Sequence, residues 1–173
     1  MPKIIDDIKN TILLEARAQA LKLGYTNMTI RSVAASCHVA VGTIYNYFPS
    51  KDMLIASLLL DDWQKTIMNM RSGCELAQTS GDAFRVIWDR LREYNDRYTP
   101  IFRDSGATKR AVSVFGFRHK QLRSQITEIV RQILIKYDRD DEFLSEFISE
   151  ALLTWALEDK NFSDVNNILC RLI

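Results

Sequence analysis

The chain has 173 residues, of which 47% are hydrophobic and 26% charged, a balance that allows one or two globular domains with buried cores. Six glycines and three prolines are few, and with abundant Leu, Ile, Ala and charged residues this favours an all-α fold over one with strands. The formal net charge is +1, so the overall charge indicates no partner, although residues 1–51 carry +3 and residues 52–173 carry −2.

The first four predicted helices follow one another along the chain with short connections. An apolar stripe predicts a helix from about Ile4 to Leu23, and Gly24 is placed to end it. The next three helices are predicted from the N-cap Thr29 through Cys37, from Val41 to Phe48, and from the N-cap Ser50 to about Arg71. Asp52, in the first turn of the fourth helix, suits the helix dipole.

Helices are also predicted through the rest of the chain. Thr79 to Asp82 indicates a loop and cap, followed by a helix to Tyr98, and Thr99-Pro100 predicts the start of another. The pattern between Ile101 and Phe117 gives no boundaries. Three more helices are expected, from about His119 to Tyr137, from Glu142 to Glu158, and after a cap at Ser163-Asp164.

The cysteines and the N-terminus exclude several classes of protein. Cys37, Cys74 and Cys170 are widely spaced and form no CxxC pair, so neither a disulfide framework nor a metal site is indicated. Asp6 and Asp7 fall where a signal peptide would be apolar, and no apolar run approaches the ~20 residues of a membrane span. We therefore expect a cytoplasmic protein without membrane association, metal or cofactor.

Two short helices separated by three residues have the size and spacing of a helix-turn-helix, whose second helix enters the major groove of DNA. In an all-α protein such a pair can also be ordinary packing. The residues favour the first interpretation, because the chain resembles the TetR family of bacterial regulators over about residues 10–58. The matching residues are Gly24-Tyr25, Thr29-Ile30-Arg31, Val33-Ala34, Val39, Gly42-Thr43-Ile44-Tyr45, Tyr47-Phe48, Pro49-Ser50-Lys51 and Leu54.

The resemblance implies a helix-turn-helix DNA-binding domain at residues 1–51, formed by three helices, and a C-terminal helical bundle domain for effector binding and dimerisation at 52–173. The residues that we expect to contact double-stranded DNA are Arg31, Val41, Gly42, Thr43, Tyr45, Asn46, Tyr47 and Lys51. Lys51 and the tyrosines suit phosphates, Arg31 suits a phosphate or a guanine, and Thr43 and Asn46 suit base edges. The alternative for Arg31 is a solvated side chain that contacts nothing. The alternative for the tyrosines is that one of them packs inward, and Tyr45 is the better candidate for this. Val33, Ala34, Val39, Ile44 and Phe48 are expected to form the core.

Three positions depart from the pattern of the family. His38 stands where glycine is common, at a position expected to need a left-handed backbone. Ala40 replaces a serine at the cap of the third helix, which loses a hydrogen bond to the backbone. Val41 replaces a frequent polar or basic residue. We therefore expect a less ordered recognition helix with fewer polar contacts to an operator.

The C-terminal two-thirds contains two sets of apolar residues that suggest further sites. Large side chains suit a pocket for an unidentified small-molecule effector, or else form ordinary core: Trp63, Met70, Trp88, Tyr94, Tyr98, Phe102 and Phe115. The last two helices carry broad apolar faces that predict a homodimer, or else an internal core. These residues are Phe143, Phe147, Ile148, Ala151, Leu152, Trp155, Val165, Ile168, Leu169 and Leu172.

The function predicted from these features is that of a ligand-responsive repressor, which binds a near-palindromic DNA operator as a dimer. An enzyme is disfavoured, since His38 and His119 are the only imidazoles, and neither a Glu-x-x-His pair nor a phosphate-binding glycine loop is present. A helical interaction module that does not bind DNA is the remaining alternative.

Overall fold

The structure, a computed structural model, describes residues 3–102, 111–158 and 160–173. Its helices confirm the all-α class, and no strand is found within these ranges. The part of the chain that the structure describes forms eight helices, α1 (Lys3–Asn27), α2 (Ile30–Ser36), α3 (Val41–Tyr47), α4 (Lys51–Leu76), α5 (Ser80–Phe102), α6 (Ala111–Ile135), α7 (Glu142–Leu157) and α8 (Phe162–Leu169).

The described residues divide into two compact units. The first contains α1, α2, α3, the start of α4 up to Asp62, the end of α5 from Arg97, and the start of α6 up to Gly116. The second contains the rest of α4 from Trp63, α5 up to Asp96, and the chain from Phe117 onward. The domain boundary after Lys51 stays a prediction.

The first unit is built on a small apolar core. Its α1 packs on α2, and α2 packs on α3. The chain leaves the straight course of α1 at Gly24, whose φ of 79° suits glycine, as expected for the end of that helix. The buried side chains of the first three helices and of the α1–α2 connection include Ile12, Ala16, Ala20, Met28, Ile30, Val33, Ala34 and Ile44. This core fixes the surface that α3 presents.

The second unit encloses a larger core of aromatic and branched side chains. Trp88 stacks edge-on against Phe162, with ring centroids 5.4 Å apart, and so joins α5 to α8. On α6 and α7 the buried residues recur at helical spacing and include Ile126, Ile129, Val130, Ile133, Ile148 and Leu152. Burial of such side chains is the main source of stability for helices of this length.

Several predicted boundaries were wrong. Pro100 lies inside α5 and begins no new helix. The buried row of Leu91, Tyr94, Tyr98 and Ile101 continues past it, so packing offsets the hydrogen bond that proline cannot donate.

Two further helices differ from their predicted bounds. Helix α4 continues beyond Arg71 to Leu76, and α6 spans Ala111–Ile135 where a helix from about His119 to Tyr137 was predicted. The last helix is capped by Asn161, whose side chain accepts a hydrogen bond from the Ser163 N–H, and not by Ser163-Asp164. Asparagine is as good an N-cap as serine or aspartate, so the pattern allowed a start two residues earlier.

Candidate nucleic-acid interface

The first helix of the pair, α2, is held at its start by a reciprocal cap. The Thr29 hydroxyl accepts a hydrogen bond from the Ser32 N–H at 3.0 Å, and Ser32 Oγ accepts one from the Thr29 N–H at 3.2 Å. The predicted cap at Thr29 is therefore confirmed, with Ser32 completing a capping box. Ser32 Oγ also donates to Gln19 Oε1 at 2.6 Å, which ties α2 to α1.

The turn between α2 and α3 contains a left-handed residue, as expected. His38 has a φ of 55°, and the Val39 N–H returns to the Ala34 carbonyl at 3.0 Å. The turn reverses the chain so that Ile44 and Phe48 enter the core while the opposite side of α3 faces outward. A non-glycine residue in this conformation carries a steric cost.

The second helix, α3, follows the N-cap residue Ala40, whose side chain makes no capping hydrogen bond. This confirms the expectation from the sequence, because alanine cannot accept from the free N–H groups of the first turn. Its position therefore depends on the buried Ile44, the buried Phe48 and the turn that precedes it.

The outer face of α3 presents the predicted DNA-contacting residues. Gly42, Tyr45 and Asn46 are exposed, and Val41, Thr43 and Tyr47 are half-buried. The alternative that Tyr45 packs inward was wrong, since its side chain is 48% exposed. Among the predicted core residues Val33, Ala34, Ile44 and Phe48 are buried, and Val39 is half-buried.

Two basic residues border this face along the chain. Arg31, the second residue of α2, is exposed. Lys51, the first residue of α4, is half-buried. Its ammonium lies over the Tyr25 ring and 3.4 Å from the Thr26 carbonyl oxygen. The role of Tyr25 was missed from the sequence, although Gly24-Tyr25 belonged to the matching pattern.

The residues predicted to form an effector pocket are mostly buried and distributed over both units. In the second unit Trp63 packs edge-on against Tyr94 at 5.2 Å and donates to Gln125 Oε1 at 2.8 Å. Met70 and Trp88 are also buried there. Tyr98 belongs to the first unit and donates to Asp62. The side chains of Phe102 and Phe115 lie outside the described residues.

A cavity of about 530 Å³ lies elsewhere in the second unit, between α4 and α6. None of the predicted pocket residues lines it. Its lining comprises Arg71, Cys74, Glu75, Glu128, Ile129, Gln132, Ile133, Ile135 and Lys136. Cys74, Ile129 and Ile133 are buried, whereas the charged members are exposed. Burial raises the pKa of the Cys74 thiol to about 11, so this thiol is protonated at physiological pH.

The residues predicted for the dimer interface fall into two groups. Ile148, Ala151, Leu152, Val165 and Leu169 are buried within the chain itself. Phe143, Phe147 and Ile168 are exposed, and Trp155 and Leu172 are half-buried. A partner subunit can reach only the second group, so that group carries the prediction of a dimer.

The described ranges show few signs of other kinds of site. They contain no group of three His, Cys, Asp or Glu residues arranged to hold a metal ion. None of the helices described is both long and apolar enough to cross a membrane.

Residues 12–58 match the family described as bacterial regulatory proteins, tetR family. The HTH-type transcriptional repressor KstR of Rhodococcus jostii is 42% identical over 57 residues, which are 33% of this chain and 27% of that protein. The matches span about a third, or less, of the first curated relatives.

Solved structures resemble the whole chain at low identity. A TetR-family transcriptional regulator of Pectobacterium atrosepticum has a TM-score of 0.70 and 19% identity, covering 100% of this chain and 95% of that one. The regulator FadR of Bacillus subtilis, crystallised with stearoyl-CoA, has a TM-score of 0.59 and 17% identity, covering 94% and 95%. These likenesses show the fold. Within the chain, the likeness to the tetR family of bacterial regulatory proteins covers the helix-turn-helix and its flanks, residues 12–58.

Proposed function

We propose that the chain is a DNA-binding transcriptional regulator whose α3 enters the major groove. The observation that carries the proposal is the outward face of α3, where Gly42, Tyr45 and Asn46 are exposed. An amide and a phenol on a short helix offer hydrogen bonds to base edges and phosphates. Exposed Arg31 and half-buried Lys51 would add phosphate contacts, with Val41, Thr43 and Tyr47 at the margins of the same face.

We further propose that the chain acts as a homodimer on a near-palindromic operator. Phe143 and Ile168 are 77% and 51% exposed on α7 and α8, and such apolar surface favours association. One recognition helix reads too few base pairs to select a genomic site, so a two-fold repeat is physically needed. The relative named as a repressor supports repression as the mode of action. We propose that the chain acts in the cytoplasm.

Effector binding is proposed for the cavity between α4 and α6. Its volume, about 530 Å³, is within the usual range for small-molecule sites, which combine apolar walls with a few polar groups. Residues 52–173 would thus hold both the effector site and the dimer contacts. Stearoyl-CoA is a reasonable first probe, because the B. subtilis FadR was crystallised with it.

Binding selection from random double-stranded DNA tests the central proposal. We expect enrichment of a near-palindrome, followed by a salt-dependent mobility shift with that sequence. Failure to retain any duplex DNA at low salt would instead support a helical interaction module. If stearoyl-CoA releases the selected DNA from the wild type but not from Gln132→Trp, a variant at the cavity rim, the effector site is supported.

A further inference from the structure

A buried carboxylate joins three helices of the first unit. Asp62, on α4, is 4% exposed. One of its oxygens, Oδ1, forms an ion pair with Arg17 of α1, and the other, Oδ2, accepts a hydrogen bond from the Tyr98 hydroxyl of α5. Arg97 Nη1 lies 3.8 Å from the same Oδ2. Thus α1, α4 and α5 meet at one charged group.

The charges of this network are largely withdrawn from water. Arg17 Nη2 also donates to Asp61 Oδ2 at 2.9 Å, and the Arg17 side chain is 18% exposed. Its Nε is buried without a hydrogen-bond partner. Burying charged groups is expensive, and apolar side chains of similar size often stabilise a fold equally well. Unlike apolar packing, the network fixes the direction in which each group must point.

The fixed position of α1 is passed on toward the recognition helix. Gln19, two residues after Arg17, accepts from Ser32 Oγ and donates to Ser36 Oγ at 3.2 Å, both on α2. Polar contacts therefore run from Asp62 through α1 to α2, and α2 packs on α3. Both α4 and α5 continue into the second unit.

We propose that Arg17, Asp62 and Tyr98 are positioning residues that determine which half-site spacing the dimer accepts. The inference rests on the proposed function as an operator-binding dimer. Each base pair added between half-sites moves them apart by about 3.4 Å and rotates one around the duplex axis. A helix pair held rigidly on α4 and α5 cannot follow this change, whereas a loosely held pair can.

The test replaces the three central polar residues of the network together by apolar ones. The variant combines Arg17→Met, Asp62→Leu and Tyr98→Phe, and Tyr98→Phe alone is the milder second variant. The control, Arg90→Met with Glu93→Leu, removes an exposed ion pair of 2.6 Å on α5. Affinities are measured for the selected operator and for versions with one to four base pairs inserted or deleted at its centre.

We expect wild type and control to bind the altered spacings much more weakly than the selected operator. In the triple variant this discrimination should fall by roughly tenfold, with affinity for a single half-site unchanged. Tyr98→Phe should show the same change to a smaller degree. Amide exchange of the free protein should be faster in α1 of the triple variant.

Undiminished discrimination in folded variants would overturn the inference while leaving DNA binding intact. If the triple variant does not fold, the result from Tyr98→Phe decides. Failure of the wild type to bind any duplex would overturn the proposed function, and this inference with it.

Discussion

The Lys51 ammonium lies 4.3 Å from the centroid of the Tyr25 ring, while the Tyr25 hydroxyl donates to Asp52. Two consecutive residues at the start of α4 thus hold the turn that follows Gly24. The stacked ring leaves Lys51 half-buried and restricts the directions in which its charge can point. A lysine restrained in this way loses less side-chain entropy when it contacts a phosphate.

Lys51→Ala should weaken binding to all DNA sequences by a similar factor. It should also flatten the plot of log affinity against log salt by about one unit, the value for one phosphate contact. Mobility shifts at several salt concentrations measure this slope. The matched control is Lys160→Ala, an exposed lysine of the second unit. An unchanged slope would remove Lys51 from the set of DNA contacts.

His38→Gly should leave the fold intact and raise its stability by up to about 1 kcal/mol. The reason is the φ of 55° at this position, which glycine adopts without steric cost, although it loses more backbone entropy on folding. Urea unfolding of both proteins gives the difference in free energy. A clearly lower free energy of unfolding for His38→Gly would mean that the His38 side chain makes a contact that stabilises the fold.

Ala40→Ser should stabilise the protein by about 1 kcal/mol, because it supplies the missing cap of α3. The backbone at Ala40, with φ −67° and ψ 147°, already has the extended conformation of an N-cap. Thr29→Ala is the matched variant, since it removes the cap present on α2 and should cost a similar amount. Equal stabilities of Ala40→Ser and wild type would show that the hydroxyl does not reach the first turn.

Phe143→Glu should abolish dimerisation while leaving the fold intact, because Phe143 is exposed on α7 and is predicted to meet a partner subunit. Sedimentation with circular dichroism separates the two effects. Leu76→Glu is the control, since Leu76 is about equally exposed on α4. In contrast, Leu152→Glu would place a carboxylate in the chain's own core and should unfold it. A Phe143→Glu dimer as stable as wild type would contradict the predicted interface.

Stability should fall as the pH rises from about 9 to about 11, because of Cys74. Burial raises the pKa of this thiol from 9.0 to about 11, so the unfolded chain releases its proton first. The contribution is fully present below pH 9 and is lost as the pH passes through the folded value. The difference between wild type and Cys74→Ala in urea unfolding at several pH values isolates it. A difference that does not depend on pH would refute the shift.

Local chemistry made the first unit predictable, and long-range packing limited prediction of the rest. The break in α1 at Gly24, the Thr29 cap, the left-handed His38 and the absent side-chain cap at Ala40 each depend on neighbours within a few residues. The sequence indicated all four. The predicted helix start at Thr99-Pro100 was wrong, because buried residues on the rest of α5 offset the cost of a proline inside the helix.

The contacts of the candidate sites were less accessible to sequence reasoning. An aromatic residue that lines a cavity and one that fills a core have the same sequence pattern, so the cavity between α4 and α6 was missed. Likewise, Arg17 and Asp62 are 45 positions apart, and no local pattern links them.

Gly42 stands in the first turn of α3, and a Cβ built there meets nothing within 4 Å. No intramolecular contact requires glycine, although in a helix it is less favourable than alanine by roughly 1 kcal/mol. A search for thermostable variants would therefore select Gly42→Ala, and a screen that measured only melting would record it as an improvement. If the backbone here lies close to a DNA partner, the same screen would select against DNA binding. Stability and operator affinity must therefore be measured together at this position.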